Sequence, residues 1–215
     1  MKHILYILLF VASFTLTSCD NNLSQNQEIS PKVASIIRQI KANKNKEAIN
    51  AILTLDNNEY QTLTNYFQNN LPSLIPPYLF MLSNAVIDIN KQQATYYYLL
   101  ARLRLMEDID KCNDQTSGAD IFMFIGKIAP KPITYVSTEA TSDELKKATE
   151  SAINFDVKNP NKLSPMWICT HGVGAFSSGG VQLASESSWP DIYKKEQSKL
   201  QKTIDNTIKR KHLSK

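Results

Sequence analysis

One segment, from Gln92 to Ile109, limits the folds open to this chain more than any other. Its apolar side chains, projected at roughly 100° per residue, point in nearly every direction rather than to one side. They are Tyr96, Tyr97, Tyr98, Leu99, Leu100, Ala101, Leu103, Leu105, Met106 and Ile109. A helix that is apolar all round is normally buried on several sides. The sequence therefore predicts a central buried helix at about 92–110, with other helices packed around it.

Most other segments also have helical patterns. Val33, Ile36, Ile37 and Ile40 recur at the spacing of one helical face. The residues 141–144, Thr-Ser-Asp-Glu, form a capping-box sequence that is typical of a helix start. The stretch 191–211 is rich in lysine around a narrow apolar stripe and predicts a basic C-terminal helix. Together these patterns predict a mainly α fold, a single helical domain over 31–215.

Two stretches interrupt the helical pattern. Residues 71–77 contain three prolines, which lack the backbone donor that a helix interior needs, so we expect a corner there. Residues 119–128 are apolar and end at Pro130 and Pro132, and both a helix and a strand fit this stretch. After the prolines, Ile133 and Tyr135 alternate with Thr134 and Val136, so we expect a short strand or an extended segment near 119–137.

The central segment also carries charge. Arg102 and Arg104 lie within it, and Glu107 and Asp108 follow at a distance of three to five residues, close enough to pair with them on a helix. A buried arginine needs a carboxylate or several carbonyls as partners. We therefore predict a buried ion pair among these four residues that anchors the helix; an arginine lining a ligand pocket is the alternative.

The N-terminal residues indicate export. Lys2 precedes the largely apolar run Ile4–Leu16, which suits a signal peptide and is too short to span a bilayer. The run ends in Leu16-Thr17-Ser18-Cys19. This motif resembles the lipobox of bacterial lipoprotein precursors. The resemblance implies a signal peptide over 1–18 and lipidation of Cys19 as the first mature residue, with a diacylglycerol on its thiol and a further acyl chain on its amine.

The same resemblance implies a location. A chain lipidated at Cys19 would be anchored in a membrane and would face the periplasm. Asp20 favours the inner membrane by a rule that holds for enteric lipoproteins, and the choice between inner and outer membrane stays open. Residues 19–30 are polar without a hydrophobic pattern, so we expect a flexible tether between lipid and domain.

The remaining cysteines form a pair. With Cys19 given to lipid, Cys112 and Cys169 are left in a compartment that favours oxidation, and we predict a disulfide between them. It would close a loop of nearly sixty residues and contribute about 4 kcal/mol by loop entropy. The alternative is two buried free thiols.

The stretch 164–180 contains a tryptophan, a cysteine, a histidine and four of the six glycines of the chain. His171 and Cys169 allow an enzymatic interpretation, with His171 as general base, but nothing nearby supplies a third catalytic group, and no hydrolase or dinucleotide motif matches. Two histidines, His171 and His212, with two cysteines make a zinc site improbable, so no metal or cofactor is predicted. We favour a structural interpretation, in which Trp167 and Ile168 enter the core, the glycines form a tight turn through positive φ, and Phe176 packs back.

These features favour a binding role. A net charge of +4 is too small to indicate nucleic-acid binding. We expect a non-enzymatic protein-binding module: an inhibitor, an immunity protein against an exported toxin, or an accessory subunit of an envelope complex. Its partners would be the membrane, through the lipid anchor, and an envelope or toxin protein. The alternative is an envelope-acting enzyme that uses His171 and Cys169.

Overall fold

The computed structural model describes residues 29–213. The lipobox, Cys19 and Asp20 lie outside these residues, so the predictions that concern them stay predictions. The described part is mainly helical, as predicted. Its α-helices are α1 Pro31–Lys41, α2 Asn45–Ile52, α3 Asn57–Gln68, α4 Pro76–Val86, α5 Lys91–Lys111, α6 Ile121–Ile128, α7 Pro130–Thr134, α8 Ser142–Lys158, α9 Met166–Cys169 and α10 Trp189–Leu213.

Helix α5 is the predicted central helix. Fourteen of its 21 residues are buried, and they face α4, α8 and α10, which pack around it. The side chain of Asn90 caps its first turn by accepting a hydrogen bond from the Gln93 amide (3.0 Å). Ser83 of α4 donates to the Ala94 carbonyl (2.7 Å), which fixes the close approach of the two helices. The all-round apolar pattern is thus explained by helices on several sides.

The segment 119–137 is helical, and the predicted strand or extended segment is wrong. Helix α6 buries Ile125 and Ile128 on one side and packs them toward α4. Pro130 opens α7 at a first-turn position, where the missing amide costs no hydrogen bond. A single π-helical turn, Tyr135–Glu139, follows. The alternation at 133–136 was too short to distinguish a strand from a helical turn.

Helix termini follow local chemistry. Thr141 and Glu144 form the predicted capping box at the start of α8: the Glu144 amide donates to the Thr141 hydroxyl (3.2 Å), and the Thr141 amide donates to the Glu144 carboxylate (2.8 Å). Residues 71–75 form a 3₁₀ turn at Leu71–Ser73 and an extended link, and Pro76 and Pro77 then begin α4. No helix within residues 29–213 is long and apolar enough to cross a bilayer.

Candidate functional site

Cys112 and Cys169 join the end of the central helix to the C-terminal third of the domain. The two residues lie at disulfide-bonding distance, with their Cα atoms 5.4 Å apart, as predicted. The backbone continues the connection: the Asn113 amide donates to the Gln182 carbonyl (3.0 Å), and the Ala184 amide donates to the Lys111 carbonyl (2.8 Å). An isolated antiparallel bridge pairs Cys112 with Leu183. We call this region, residues 111–118 with 169–184, the stapled end.

Asp114 holds the loops of the stapled end together. One carboxylate oxygen accepts hydrogen bonds from the amide (2.9 Å) and hydroxyl (2.7 Å) of Thr116, and the other accepts from the Gly174 amide (2.5 Å). The Thr116 hydroxyl in turn accepts from the Val173 amide (2.8 Å). These hydrogen bonds, led by that from the Thr116 hydroxyl, lower the pKa of Asp114 because they stabilise its ionised form. The carboxylate therefore acts as a local clamp between two loops.

The clamp explains two of the glycines. A Cβ atom at Gly172 would lie 2.3 Å from a carboxylate oxygen of Asp114, and one at Gly174 would lie 2.9 Å from the same atom. Close approach of the carboxylate, and not positive φ, therefore requires glycine at these two positions. Only Gly180 of the cluster has the left-handed φ that the sequence analysis expected of the turn (φ 61°).

His171 and Cys169 do not form a nucleophile and base in this arrangement. The His171 side chain is exposed, and its Nδ1 lies 3.5 Å from the Thr170 hydroxyl. The sulfur of Cys169 lies against that of Cys112. A bonded sulfur offers no thiolate, so the enzymatic alternative has no nucleophile in this state.

The apolar residues of the 164–180 stretch divide between core and surface. Ile168 is buried, and Trp167 is half-buried against the core, where its indole nitrogen donates to Asp108 (2.8 Å). Phe176 does not pack back: 86% of it is exposed, and the expectation was wrong. Its 3₁₀ turn, Val173–Phe176, rests on the neighbouring turn Gln115–Gly118 and directs the ring to solvent.

Exposed apolar side chains lie on two segments linked to the turn 115–118: the turn 173–176 contacts it, and α6 follows it in sequence. Val173 and Phe176 belong to the turn just described, and α6, which starts three residues after the turn 115–118, exposes Phe122 and Met123. Phe122 is 56% exposed although α6 is among the most apolar helices of the chain. We call these four residues the apolar patch. Large exposed apolar groups of this kind commonly mark interaction sites.

The buried charge network around α5 differs from the ion pair that the sequence predicted. Arg104 is fully buried, but its carboxylate partner is Asp156 of α8 (Nε to Oδ1, 3.4 Å), and it also donates to the carbonyls of Asn159 (2.7 Å) and Leu71 (3.2 Å). Arg102 is exposed and belongs to no buried pair. Arg104 therefore ties α5 to α8 and to the corner before α4.

Asp108 pairs with a buried lysine. Lys111 Nζ lies 3.1 Å from the Asp108 carboxylate and donates to the Asn161 carbonyl (2.7 Å), while Asn161 and Trp167 donate to the same carboxylate (both 2.8 Å). The rings of Trp189 and Tyr193 lie 4.6 and 5.2 Å from the ammonium. Burial raises the pKa of Asp108, whereas the charge of Lys111 and the hydrogen bonds that Asp108 accepts from Trp167, Lys111 and Asn161 lower it. Both charges of this pair are thus compensated by protein groups.

Glu107 contacts a second carboxylate. Both of its oxygens are buried, and none of the described residues donates a hydrogen bond to them, whereas its carboxyl group interacts with that of Asp156. Burial, and then the charge of Asp156, raise the pKa of Glu107 well above its ordinary value. Two cations, Arg104 and Lys111, face three acids in this network, so a proton on Glu107 makes the network electrically neutral.

Surface pockets at two places in the described part of the chain could admit a small ligand. One, of about 220 Å³, lies at the stapled end beside Asp114 and the cysteine pair. The other, of about 420 Å³, lies between α4, α5 and α7, where Lys91 pairs with Glu139 (3.3 Å) and Lys131 with Asp88 across exposed surface. Within the part of the chain that the structure describes, no group of three or more His, Cys, Asp or Glu side chains could hold a metal ion.

Several residues of these sites were not predicted from the sequence. Lys111, Asp156 and Asn161 complete the buried network, and Asp114 clamps the stapled end. The position of Lys111 directly before Cys112 at the end of a buried helix was a usable signal. Nothing local indicated Asp156, which lies 52 residues from Arg104.

Comparison with known proteins gives no relative. No family model, no curated protein and no solved structure matches this chain. The functional conclusion therefore depends on the residues themselves.

Proposed function

We propose that this chain is a lipid-anchored, periplasm-facing protein-binding module without catalytic activity, and that the apolar patch is its binding surface. The observation that carries the proposal is the exposure of Phe176, on a turn of the stapled end, and of Phe122, on the helix that follows the turn 115–118 in sequence. An aromatic side chain that is exposed in the free protein gains the favourable free energy of burial when a partner covers it. Aromatic residues also dominate the energetics of known protein interfaces.

The rigidity of the stapled end supports this role. The turn that carries Val173 and Phe176 is fixed by the Asp114 carboxylate, the Thr116 hydroxyl and the nearby cysteine pair. A surface held in one conformation loses less conformational entropy on binding than a mobile one does. An inhibitor, an immunity protein or an accessory subunit of an envelope complex would each use such a surface. Lipidation at Cys19 would concentrate it at the membrane.

The test compares two pairs of exposed apolar residues. The anchored protein with Phe122→Ser and Phe176→Ser would be used to capture partners from cross-linked envelopes, beside wild type and a control with Leu53→Ser and Ile89→Ser, whose side chains are similarly exposed elsewhere. We expect the patch variant to lose capture of a stoichiometric partner by at least about thirtyfold, as is typical of hot-spot residues. Equal capture by all three proteins would contradict the proposal.

The enzymatic alternative has its own test. His171→Ala would abolish turnover of an envelope substrate with the fold intact if His171 were a general base. Under the binding proposal, the substitution leaves partner capture unchanged. The exposed imidazole lies within hydrogen-bonding distance of Thr170, which belongs neither to the turn 173–176 nor to the Asp114 clamp. Loss of an assayed activity in this variant would favour the enzyme.

A further inference from the structure

Helix α10 presents two chemically opposite faces. Leu200, Ile204 and Ile208 are buried against the domain. The opposite face is exposed and carries a row of basic side chains that we call the basic stripe: Lys195, Lys199, Lys202, Lys209 and Arg210. At 3.6 residues per turn these positions fall within about one third of the helix circumference. The stripe extends over about 22 Å along the helix axis at a rise of about 1.5 Å per residue.

Acidic side chains within the same stretch, 195–210, do not enter the stripe. Glu196 is buried, and Asp205 is half-buried and accepts a hydrogen bond from Gln201 (3.1 Å). Lys195 and Lys199 share two carboxylates at the base of the stripe: Lys195 lies 2.5 Å from Asp110, and Lys199 lies 2.6 Å from Glu196. The positive charge of the stripe is therefore concentrated toward its C-terminal half.

In that half, Lys202, Lys209 and Arg210 project into solvent. Among the side chains that the structure describes, no carboxylate lies within salt-bridge distance of any of the three. The neighbouring helix α8 exposes both signs, with Lys147 and Glu150 close in sequence, whereas α10 exposes basic and neutral polar side chains over 195–210. A helix face that exposes no carboxylate over about 22 Å fits a flat anionic surface.

We propose that the basic stripe rests on the anionic headgroups of a lipid bilayer. The inference goes further than the proposed function, from which it takes the anchor at Cys19. Residues 19–30 span at most roughly 40 Å when fully extended, so an acylated Cys19 holds the domain next to headgroups at high effective concentration. Each basic side chain near an anionic surface strengthens membrane attachment about fivefold.

The contact is electrostatic and reversible. The stripe carries no exposed apolar side chain that could enter the acyl region, so salt that screens the charges also releases the helix. The C-terminal half of the stripe contributes most, because the charges of Lys195 and Lys199 are partly offset by Asp110 and Glu196. Contact through α10 would orient the domain on the membrane while the apolar patch remains a separate surface.

The test is a lysine footprint of the full chain isolated from bacterial envelopes. The protein is placed on vesicles of phosphatidylcholine, with or without phosphatidylglycerol, and treated with an amine-reactive reagent before mass spectrometry. We expect labelling of Lys202 and Lys209, and of Lys195 and Lys199 on the same face, to slow about fivefold or more on the anionic vesicles only. Lys41 and Lys44, exposed near the other end of the chain, serve as internal controls and should label equally on both. High salt should abolish the protection.

Matched variants separate charge pattern from net charge. The triple change Lys202→Gln, Lys209→Gln and Arg210→Gln should remove the protection of Lys195 and Lys199, whereas Lys41→Gln, Lys44→Gln and Lys46→Gln, which removes the same charge, should preserve it. Equal labelling on the two vesicle types, protection on neutral vesicles, or protection that needs an added acidic protein or nucleic acid would each overturn the proposal.

Flotation of the same samples tests the anchor separately. A chain that floats with neutral vesicles is anchored whatever the footprint shows, so failure of the stripe leaves the anchor intact. A chain that does not float with neutral vesicles contradicts the anchor. The stripe is then tested by the fraction of protein that floats with phosphatidylglycerol vesicles. This fraction must exceed that with phosphatidylcholine vesicles, and it must fall in the triple variant.

Discussion

The buried charge network and the stapled end use charged groups in opposite ways. In the network, Arg104, Glu107, Asp108, Lys111 and Asp156 are all without solvent exposure, and each is held by partners from other segments. At the stapled end, Asp114 is near the surface, and its partners come from the loops beside it. The first arrangement joins helices across the core; the second fixes loops around one covalent link.

This difference teaches where stability and binding reside. A buried ion that loses its partner leaves an uncompensated charge in a low-dielectric interior, which destabilises the whole fold. A surface clamp that loses a partner exposes its carboxylate to water at small cost, but the loops that it held become free to move. The network should therefore control global stability, and the stapled end should control the geometry of the apolar patch.

Replacement of Arg104 should have the largest effect. Arg104→Ala removes the cation from Asp156 and three hydrogen bonds from the core, and we expect unfolding free energy to fall by about 3–5 kcal/mol. Arg102→Ala on the same helix is the control; its exposed side chain predicts a change within about 0.5 kcal/mol. Urea unfolding followed by circular dichroism measures both. Similar losses in the two variants would show that the network does not carry global stability.

Removal of the cysteine pair should come next. Replacing Cys112 and Cys169 by serine frees a loop that spans 57 residues of sequence, and we expect a loss of about 3 kcal/mol, below the loop-entropy limit because unfolded chains keep some structure. Amide exchange should accelerate in residues 169–184 more than in the centre of α5. Quantitative alkylation of both thiols in the native protein without reductant would instead mean that the pair is not bonded.

The contrast between the two regions also explains what the sequence could predict. The central helix was predictable because burial on all sides leaves an all-round apolar pattern within one short segment. The pairing of Cys112 with Cys169 followed from counting cysteines. The partner of Arg104 was not predictable, because Asp156 meets it only when α5 and α8 pack, and the same apolar pattern surrounds exposed Arg102 and buried Arg104. The prediction that Phe176 packs against the domain was wrong, because aromatic character alone does not distinguish a buried side chain from an exposed one.

A change at Glu107 should produce a pH dependence. The pKa of an unfolded glutamate is about 4.3, and that of Glu107 in the fold is raised. Below both values each state binds the proton; between them only the folded state does, so stability falls by about 1.4 kcal/mol per pH unit as pH rises. Glu107→Gln cannot ionise, so its stability relative to wild type should increase over this range.

The difference between variant and wild type isolates this group. Glu196, whose pKa burial also raises, and Asp114 and Glu144, whose pKa values are lowered, titrate alike in both proteins and cancel in the difference. The groups facing Glu107 are Asp108 and Lys111 on α5, Asp156 on α8 and Tyr193 on α10, and the substitution leaves all four in place. A difference that stays constant from about pH 5 to pH 7 would mean that Glu107 is ionised in the fold.

Two glycine substitutions should have the smallest effects, and of opposite sign. At Gly172 an added methyl group would meet the Asp114 carboxylate at 2.3 Å, so Gly172→Ala must displace the clamp, and we expect a loss of about 1–3 kcal/mol, as is typical of overpacking. At Gly126 in α6 no atom lies within 4 Å of the new Cβ, so Gly126→Ala should stabilise the protein by about 0.5–1 kcal/mol through helix propensity. Thermal unfolding measures both changes, and partner capture distinguishes the two variants further. Gly172→Ala should weaken binding, because displacement of the clamp moves the turn that carries Phe176. Gly126→Ala, on the helix that carries Phe122, should preserve binding. Full binding by Gly172→Ala would separate the clamp from the apolar patch.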